Sequence, residues 1–241
     1  MKKEIFFLTI VAFILCVNLL QAQTKGELIK VSYITSPLSP SMLSILRKQI
    51  PSPEEYQTVV DLISKYKVYH SLYINNKTHE SFFIVDSVHA EPGVMVTGNV
   101  SYVYTNNEGV MIGKEDFMKS VNIFKSNLSD MKWELNDQTK EINGYVCRNA
   151  TAKNYPEVSV WFTEKIATNK GPGYFQGLLG LVFEADELFG STYLAGLEYL
   201  EDSFNFEGLI KDYKKEPAGK KLSVKEVLAL KDNMMKTAKI E

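Results

Sequence analysis

The chain has 241 residues, of which 45% are hydrophobic and 12% aromatic, and its 27 basic and 29 acidic side chains give a formal net charge of −2 at pH 7. This near balance argues against binding to nucleic acid or to an anionic membrane surface, because both attract proteins through concentrated positive charge. The length suits a single domain with its own hydrophobic core after removal of an N-terminal leader.

Residues 1–22 have the pattern of a secretory signal peptide. Lys2 and Lys3 precede an apolar run that extends from Ile5 to about Leu20, and Ala22 supplies a small residue at the exit. A retained transmembrane anchor is the alternative interpretation. The apolar run is shorter than the roughly 20 residues of a spanning helix, however, and no basic cluster follows it. We therefore expect an exported protein with no transmembrane span after cleavage.

Export bears directly on the two cysteines. Cys16 falls inside the predicted leader, and the large apolar residues before it argue against lipidation, which requires small residues at those positions. Cys147 is then the only cysteine of the mature chain, so an intrachain disulfide cannot form. A lone thiol in an oxidising compartment is either buried or free to pair with another chain. Because Cys147 shares a short predicted strand with aromatic residues, we expect it to be a small core side chain.

The mature chain begins with one predicted strand and two predicted helices. Apolar and polar residues alternate over 27–36, as expected for a strand with one buried face. Segments 39–50 and 52–66 each open on Ser-Pro and place apolar residues three or four apart, which predicts helices. In the second helix four apolar residues form one stripe that we expect to contact the core: Tyr56, Val59, Val60 and Ile63.

Predicted strands dominate from Tyr66 onward. Residues 66–87 indicate a hairpin, residues 100–113 a second one with Gly109 in its loop, and residues 130–154 two or three short strands. Further strands are predicted at 157–166, 181–186 and 191–201, and a helix begins after Ser223, with Glu226 completing a capping box. We expect an α+β, mostly β fold, in which a curved, half-barrel-like antiparallel sheet is covered by the N-terminal helices and the C-terminal helix.

A glycine-rich segment, "GPGYFQGLLGLVFEAD" at 171–186, resembles the GLPGLI family of exported bacterial proteins. The family's Gly-Leu-Pro-Gly-Leu-Ile run corresponds to residues 177–182, with Leu179 in place of proline and Val182 in place of isoleucine. The residues that carry the resemblance are Gly144, Tyr145, Cys147, Trp161, Gly171, Pro172, Phe175, Gly177, Leu178, Gly180 and Leu181. It covers mainly residues 133–186. It implies a single domain over 23–241, located in the periplasm of a Bacteroidetes-type organism or associated with its outer membrane, and it implies no particular activity.

The glycines themselves favour a structural corner over a ligand cradle. Gly171 and Gly173 flank Pro172 and permit a sharp reversal, while Gly177 and Gly180 allow close approach to neighbouring backbone. A phosphate-binding loop would instead lead into a helix N-terminus, but here the apolar residues after Gly180 continue as a strand.

Few residues suggest chemistry. His70 and His79 flank the first predicted hairpin and could face each other across it, so they are candidate metal ligands together with Glu80 or Asp86. A catalytic cysteine would need a base that no motif supplies near Cys147. The sequence contains no hydrolase signature, so we assign no catalytic residue, expect no cofactor and predict that the protein is not an enzyme.

One short pattern suggests a modification. Asp86, Ser87 and Val88 resemble the sequon used for O-glycosylation of exported Bacteroidetes proteins, which makes Ser87 a candidate acceptor.

The expected function is therefore non-enzymatic binding in the cell envelope. A curved sheet resembles the half-barrel of lipoprotein carriers, so its face could bind a lipid-like apolar ligand or a protein partner. The alternative is an envelope interaction or assembly factor that acts with an outer-membrane transporter and docks through an exposed loop at 171–176. A hydrolase or a metal-binding protein is the third possibility.

Overall fold

The structure is a computed structural model that describes residues 27–91, 99–117 and 120–238. The predicted signal peptide, residues 1–22, and Cys16 within it lie outside the described residues. In chain order the strands are β1 (Leu28–Ser36), β2 (Lys67–Asn75), β3 (Glu80–His89), β4 (Asn99–Thr105), β5 (Val110–Phe117), β6 (Ser120–Asn127), β7 (Trp133–Ile142), β8 (Tyr145–Ala152), β9 (Tyr155–Thr163), β10 (Leu181–Glu187), β11 (Gly190–Tyr199) and β12 (Lys221–Leu222). The helices are α1 (Pro40–Gln49), α2 (Pro53–Ser64), α3 (Phe206–Ile210) and α4 (Val224–Ala238).

All described strands belong to one sheet, in the order β12-β6-β5-β4-β3-β2-β1-β11-β10-β9-β8-β7. Neighbouring strands pair antiparallel except β12, which lies parallel to β6. Strand β1 occupies the centre, with Val31 opposite Leu72 of β2 on one side and Leu197 of β11 on the other. The large curved sheet confirms the predicted α+β, mostly β class. None of the helices in the described ranges combines the length and apolar character that a membrane-spanning segment requires.

The two faces of the sheet bury different cores. The main core contains the inward side chains of β1, such as Val31 and Tyr33, with residues from most other strands and Val227 and Leu228 of α4. A second core on the opposite face joins Phe82 and Tyr104 of the sheet to α3, among other contacts. The predicted C-terminal helix therefore covers the sheet, and its capping box is present, since Glu226 accepts a hydrogen bond from the Ser223 backbone N–H at 2.7 Å.

The N-terminal helices form as predicted, but they do not cover the core. Ser39 caps α1 by accepting a hydrogen bond from the Met42 N–H at 3.1 Å, and Ser52 caps α2 from the Glu55 N–H at 3.3 Å. No residue of either helix is buried, and none belongs to the two cores of the described chain. The expected core contact of the stripe Tyr56, Val59, Val60 and Ile63 is therefore wrong. Amphipathic spacing predicts an apolar face but does not identify what covers it.

Candidate functional site: a groove at the turn end of the sheet

Much of the glycine-rich segment is buried in the main core rather than exposed on the surface of the protein. Residues 170–176 are all buried, and Tyr174, Phe175 and Leu178 belong to the main core. The exposed docking loop expected at 171–176 is therefore wrong. These aromatic and aliphatic side chains pack in the main core.

The glycines of this segment satisfy backbone geometry. A Cβ built on Gly171 would lie 2.2 Å from the Phe175 carbonyl oxygen, and one on Gly180, where φ is +154°, would lie 2.3 Å from the Thr163 carbonyl oxygen. Real Cβ atoms do not approach backbone this closely, so the fold requires glycine at both places. This geometry fits the structural corner predicted from the sequence.

The remaining residues of the family resemblance also occupy structural positions. Cys147 is fully buried, as predicted, and carries a free thiol, whose pKa burial raises to about 11. The Tyr145 ring packs edge-on against Phe183, with centroids 5.3 Å apart. Trp161 lies under the Lys140 ammonium at 4.5 Å. Gly144 has φ +80° in the turn between β7 and β8, as the predicted tight turn requires.

The structure does not bring His70 and His79 together. His70 lies within β2, pairs with Val85 and stacks on Phe83 at 4.7 Å, whereas His79 lies in the hairpin turn. Because His70 lies in the middle of a strand and His79 lies in the turn, the two imidazoles do not face each other. The candidate metal pair is therefore wrong. No cluster of three potential metal ligands occurs among residues 27–91, 99–117 and 120–238.

The other two metal candidates already have partners. Glu80 accepts a hydrogen bond from the Tyr104 hydroxyl at 2.5 Å, and Asp86 accepts one from the Ser71 hydroxyl at 2.7 Å. Ser87 is exposed on β3, opposite Tyr69. It is accessible, and its modification stays a prediction.

An open groove of about 1000 Å³ lies at the end of the sheet where the β2–β3 and β4–β5 turns meet the segment after β9. We call it the turn-end groove. Its lining residues are Asn76, His79, Asn107, Glu108, Gly109, Asn127, Leu128, Ser129, Glu164, Ala167, Thr168, Asn169, Lys170 and Leu179. A second depression of about 590 Å³ adjoins it, sharing Leu128, Ser129, Glu164, Asn169 and Leu179, and adds Trp133 to the surface.

The groove combines amide side chains with a few apolar ones. Each of its four asparagines offers both hydrogen-bond donors and acceptors. The Trp133 indole N–H donates to the Gln176 carbonyl at 2.9 Å, which fixes the ring at the wall of the adjoining depression. Leu179, the residue that replaces the family's proline, projects between the two depressions and is 85% exposed. This arrangement can bind a ligand that presents both hydroxyl or amide groups and apolar surface.

Lys170 is the unusual residue of the groove, and sequence reasoning missed it. It is only 3% exposed, yet its ammonium makes no hydrogen bond or ion pair with any residue that the structure describes. Burial lowers its pKa to about 8, against a smaller opposing effect of Glu80. A perturbed, unpartnered charge in a groove is a common mark of a binding or catalytic site.

A second set of ionisable groups is enclosed in the main core. Lys231 Nζ lies 2.6 Å from Glu115 Oε1, 2.8 Å from Glu187 Oε2 and 2.8 Å from the Tyr174 hydroxyl. Burial raises the pKa of Glu187. Burial also opposes the charge of Lys231, but Glu115 and Glu187 outweigh it and hold the pKa of Lys231 well above its ordinary value. Glu115 Oε2 has no partner among the described residues.

A small cavity adjoins this ionic cluster. The cavity has a volume of about 30 Å³ and is lined by Glu187, His70, Thr35 and Thr192, among others. Such a volume holds a water molecule but no substrate. We therefore place the candidate functional site in the turn-end groove and assign the cluster a structural role.

Comparison with known proteins relates part of the chain to a glycanase. Residues 79–188, just under half of the chain, match the family model described as "N-glycanase peptide, N-terminal domain". No curated protein matches the chain.

The solved structures that are similar to the chain include three that cover at least three quarters of it. Two are of PNGF-II, in two crystal forms, with 11% and 12% identity, TM-scores of 0.44 and 0.43, and coverage of 81% and 75% of this chain but 30% of PNGF-II. The chain thus spans about 30% of the length of PNGF-II. The third is an uncharacterised conserved protein from Thermus thermophilus, with 4% identity, a TM-score of 0.35 and coverage of 81% of this chain and 90% of the other.

The match to an N-glycanase domain corrects the expectation that the protein is not an enzyme. That expectation rested on the absence of short hydrolase signatures, and the match of residues 79–188 to the N-glycanase family model overturns it. Short signatures reveal only those sites whose groups lie close together in sequence.

Proposed function

We propose that the protein is exported and binds the glycan of N-glycosylated proteins in the turn-end groove, in support of their deglycosylation. The observation that carries this proposal is the composition of the groove, in which asparagine side chains stand beside exposed apolar surface. The likeness to an N-glycanase domain supports the ligand class, because every lining residue except Asn76 falls within the matched range 79–188.

The chemistry of the groove suits a sugar chain. N-acetylated sugars present hydroxyl and amide groups around the ring edge and C–H groups on the ring faces. Asparagine amides can pair with the polar edge, and Leu179 or the half-buried Trp133 can pack against the faces. An open groove rather than a closed pocket accommodates a chain that continues into solvent at both ends.

The proposed location rests on the sequence. The predicted signal peptide and the resemblance to the GLPGLI family support a protein of the periplasm or of the outer-membrane surface. In either place the protein can reach glycoproteins and their fragments that have not crossed the inner membrane.

The proposal is tested by titrating the purified protein with an N-glycopeptide and with the same peptide after removal of the glycan. We expect binding only of the glycosylated form. Asn107→Ala and Leu179→Ala should each weaken it by about tenfold, a typical effect for a central contact residue. Val146→Ala is the matched control, because Val146 is 59% exposed and does not line the groove. Equal binding of the two peptides would contradict the proposal.

The helical pair α1–α2 favours a second candidate function, an interaction factor of the envelope that acts with an outer-membrane protein. Its apolar residues join neither core of the described chain, and Leu62 is 46% exposed. A photo-crosslinker at Leu62 should then join the protein to an outer-membrane protein in intact cells, and a crosslinker at Val146 should not. Absence of a Leu62-specific product removes this candidate.

A further inference from the structure

We propose that the turn-end groove binds an anionic group of its ligand, a carboxylate, sulfate or phosphate carried by a sugar chain, at the side-chain ammonium of Lys170. The inference rests on the proposed function for the ligand class, and it adds the part of the ligand that the groove selects. It assigns Lys170 as a binding residue.

The first observation is the contrast between two buried lysines. Lys231 is 1% exposed, and three oxygen-bearing side chains surround its ammonium within 2.9 Å. Lys170 is 3% exposed, and the described residues give its ammonium no such partner. Most of the Lys170 side chain is buried, but its ammonium keeps contact with water in the open groove and is a charge that the described residues leave unpaired, which is rare for a lysine so deeply placed. A ligand anion would supply the missing partner.

The second observation is that the backbone around Lys170 is fixed. The Lys170 carbonyl accepts a hydrogen bond from the Val182 N–H at 3.2 Å, and the neighbouring Asn169 carbonyl accepts one from the Gly177 N–H at 2.8 Å. Lys170 is followed by Gly171, where the close approach to Phe175 excludes any larger residue. The lysine is thus held in the groove wall by the same segment that fills the core, so a bound anion would meet a preorganised charge.

The third observation is that the nearby acids do not neutralise Lys170. The carboxylate of Glu80 pairs with Lys214 at 3.2 Å and with the Tyr104 hydroxyl. In the groove itself, Glu164 pairs with Arg148 at 2.9 Å. Glu108 also lines the groove, but its side chain is exposed to water. The burial that lowers the pKa of Lys170 to about 8 leaves the group charged at neutral pH, and a ligand anion would raise this pKa again.

A single set of titrations tests the inference. The ligands are a neutral oligosaccharide, its counterpart with a terminal glucuronate, the methyl ester of that glucuronate, a sulfated counterpart and inorganic phosphate. We expect the acidic sugars to bind at least about tenfold more tightly than the neutral sugar and the ester, as one charge-assisted contact provides. Phosphate alone should bind weakly, because it lacks the sugar contacts. Equally tight binding of phosphate would identify an anion site that does not select sugars, and would overturn the inference.

The decisive variant is Lys170→Met. It should abolish the preference for the acidic sugars over the neutral sugar and the ester, and Lys170→Gln should do the same. Lys165→Met is the matched control, because Lys165 is an exposed lysine five positions earlier that does not line the groove. Similar binding of glucuronate and ester by the wild type would overturn this inference and leave the proposed function standing. Absence of binding by every sugar would overturn both.

The pH dependence provides an independent readout. Binding of the glucuronate should weaken between pH 7 and pH 9.5 as Lys170 loses its proton, and the Lys170→Met variant should show no such step. The other titratable groups of the groove are His79, Glu108 and Glu164, with Glu80 behind it. His79→Asn and Glu164→Gln should therefore retain the step. A step that disappears in either of these variants, or persists in Lys170→Met, would contradict the assignment.

Discussion

The ammonium of Lys231 lies 2.6 Å from Glu115 Oε1 in the main core, and this ion pair joins helix α4 to strand β5. The same ammonium reaches Glu187 at the end of β10 and the hydroxyl of Tyr174 in the glycine-rich segment. One side chain of the C-terminal helix thus connects the two halves of the sheet and the segment between them. The cluster contains two carboxylates and one ammonium, so Lys231 supplies the positive charge that offsets the two buried carboxylates.

We expect Lys231→Met to destabilise the protein by about 3–5 kcal/mol, because it leaves Glu115 and Glu187 buried without a cation. The free energy of unfolding, measured by urea denaturation, checks this value. The triple variant Lys231→Met, Glu115→Gln, Glu187→Gln should recover most of the loss, since it removes the uncompensated charges. Failure of the triple variant to recover stability would mean that packing rather than charge holds the cluster.

Stability should fall in acid partly because of His70. Burial lowers the pKa of this imidazole from 6.5 to about 4, so the folded state excludes a proton that the unfolded chain accepts. The contribution of His70 is fully present above pH 6.5 and is lost as the pH falls towards 4, by about 3 kcal/mol in all. His70→Gln should remove this part of the slope in a urea series at several pH values, whereas the exposed His89→Gln should keep it. Identical slopes for wild type and His70→Gln would contradict the prediction.

The groove lysine should affect stability in the opposite way to a paired lysine. Burial lowers the pKa of Lys170 from 10.5 to about 8, so the unfolded chain binds this proton more readily than the folded protein does. The contribution of Lys170 to the free energy of unfolding is therefore fully present above pH 10.5 and is lost as the pH falls through 8. At pH 7 the charged side chain is therefore destabilising, and Lys170→Met should stabilise the protein by about 2 kcal/mol. Thermal unfolding with and without ligand checks this. A lower melting temperature for the variant would show that the ammonium has a stabilising partner.

The close approach at Gly171 makes a sharp packing prediction. Gly171→Ala should destabilise the protein by about 2 kcal/mol or more, because the added Cβ would meet the Phe175 carbonyl at 2.2 Å. The control is Gly196→Ala in β11, where no atom lies within 4 Å of the added Cβ and the change should be neutral or slightly stabilising. Equal stability of the two variants would contradict the structural role of the corner.

Local patterns in the sequence are enough to predict most elements. Alternation identifies the hairpins, and the Ser-Pro pairs at 39–40 and 52–53 identify both helix starts. Strand β6 is not predicted, because its apolar residues do not keep to one face. Val121 is 56% exposed, while Ser126 faces the core and accepts a hydrogen bond from the Val224 N–H at 2.8 Å. In this strand tertiary contacts outweigh the local pattern.

The candidate site could not be predicted because burial there depends on the whole sheet. A glycine-rich segment ordinarily marks an exposed turn, and a lysine ordinarily faces water. Here Tyr174 and Phe175 pack in the main core, and the segment that contains them places Lys170 in the groove wall. The groove itself is made by turns that lie far apart in sequence, from Asn76 to Leu179, and no local signal shows that these turns meet.

The central position of β1 has a kinetic consequence. Val31, near the start of the described chain, pairs with Leu197, so the middle of the sheet cannot close until nearly all of the strands are available to pair. Long-range pairing of this kind slows folding, because the entropy of closing a large loop is lost before the contacts form. We expect the first meander, β1 to β6, to assemble early and to leave open the edge of β1 that later pairs with β11. Refolding should accordingly show a slow final phase that reports on the docking of β11 against β1.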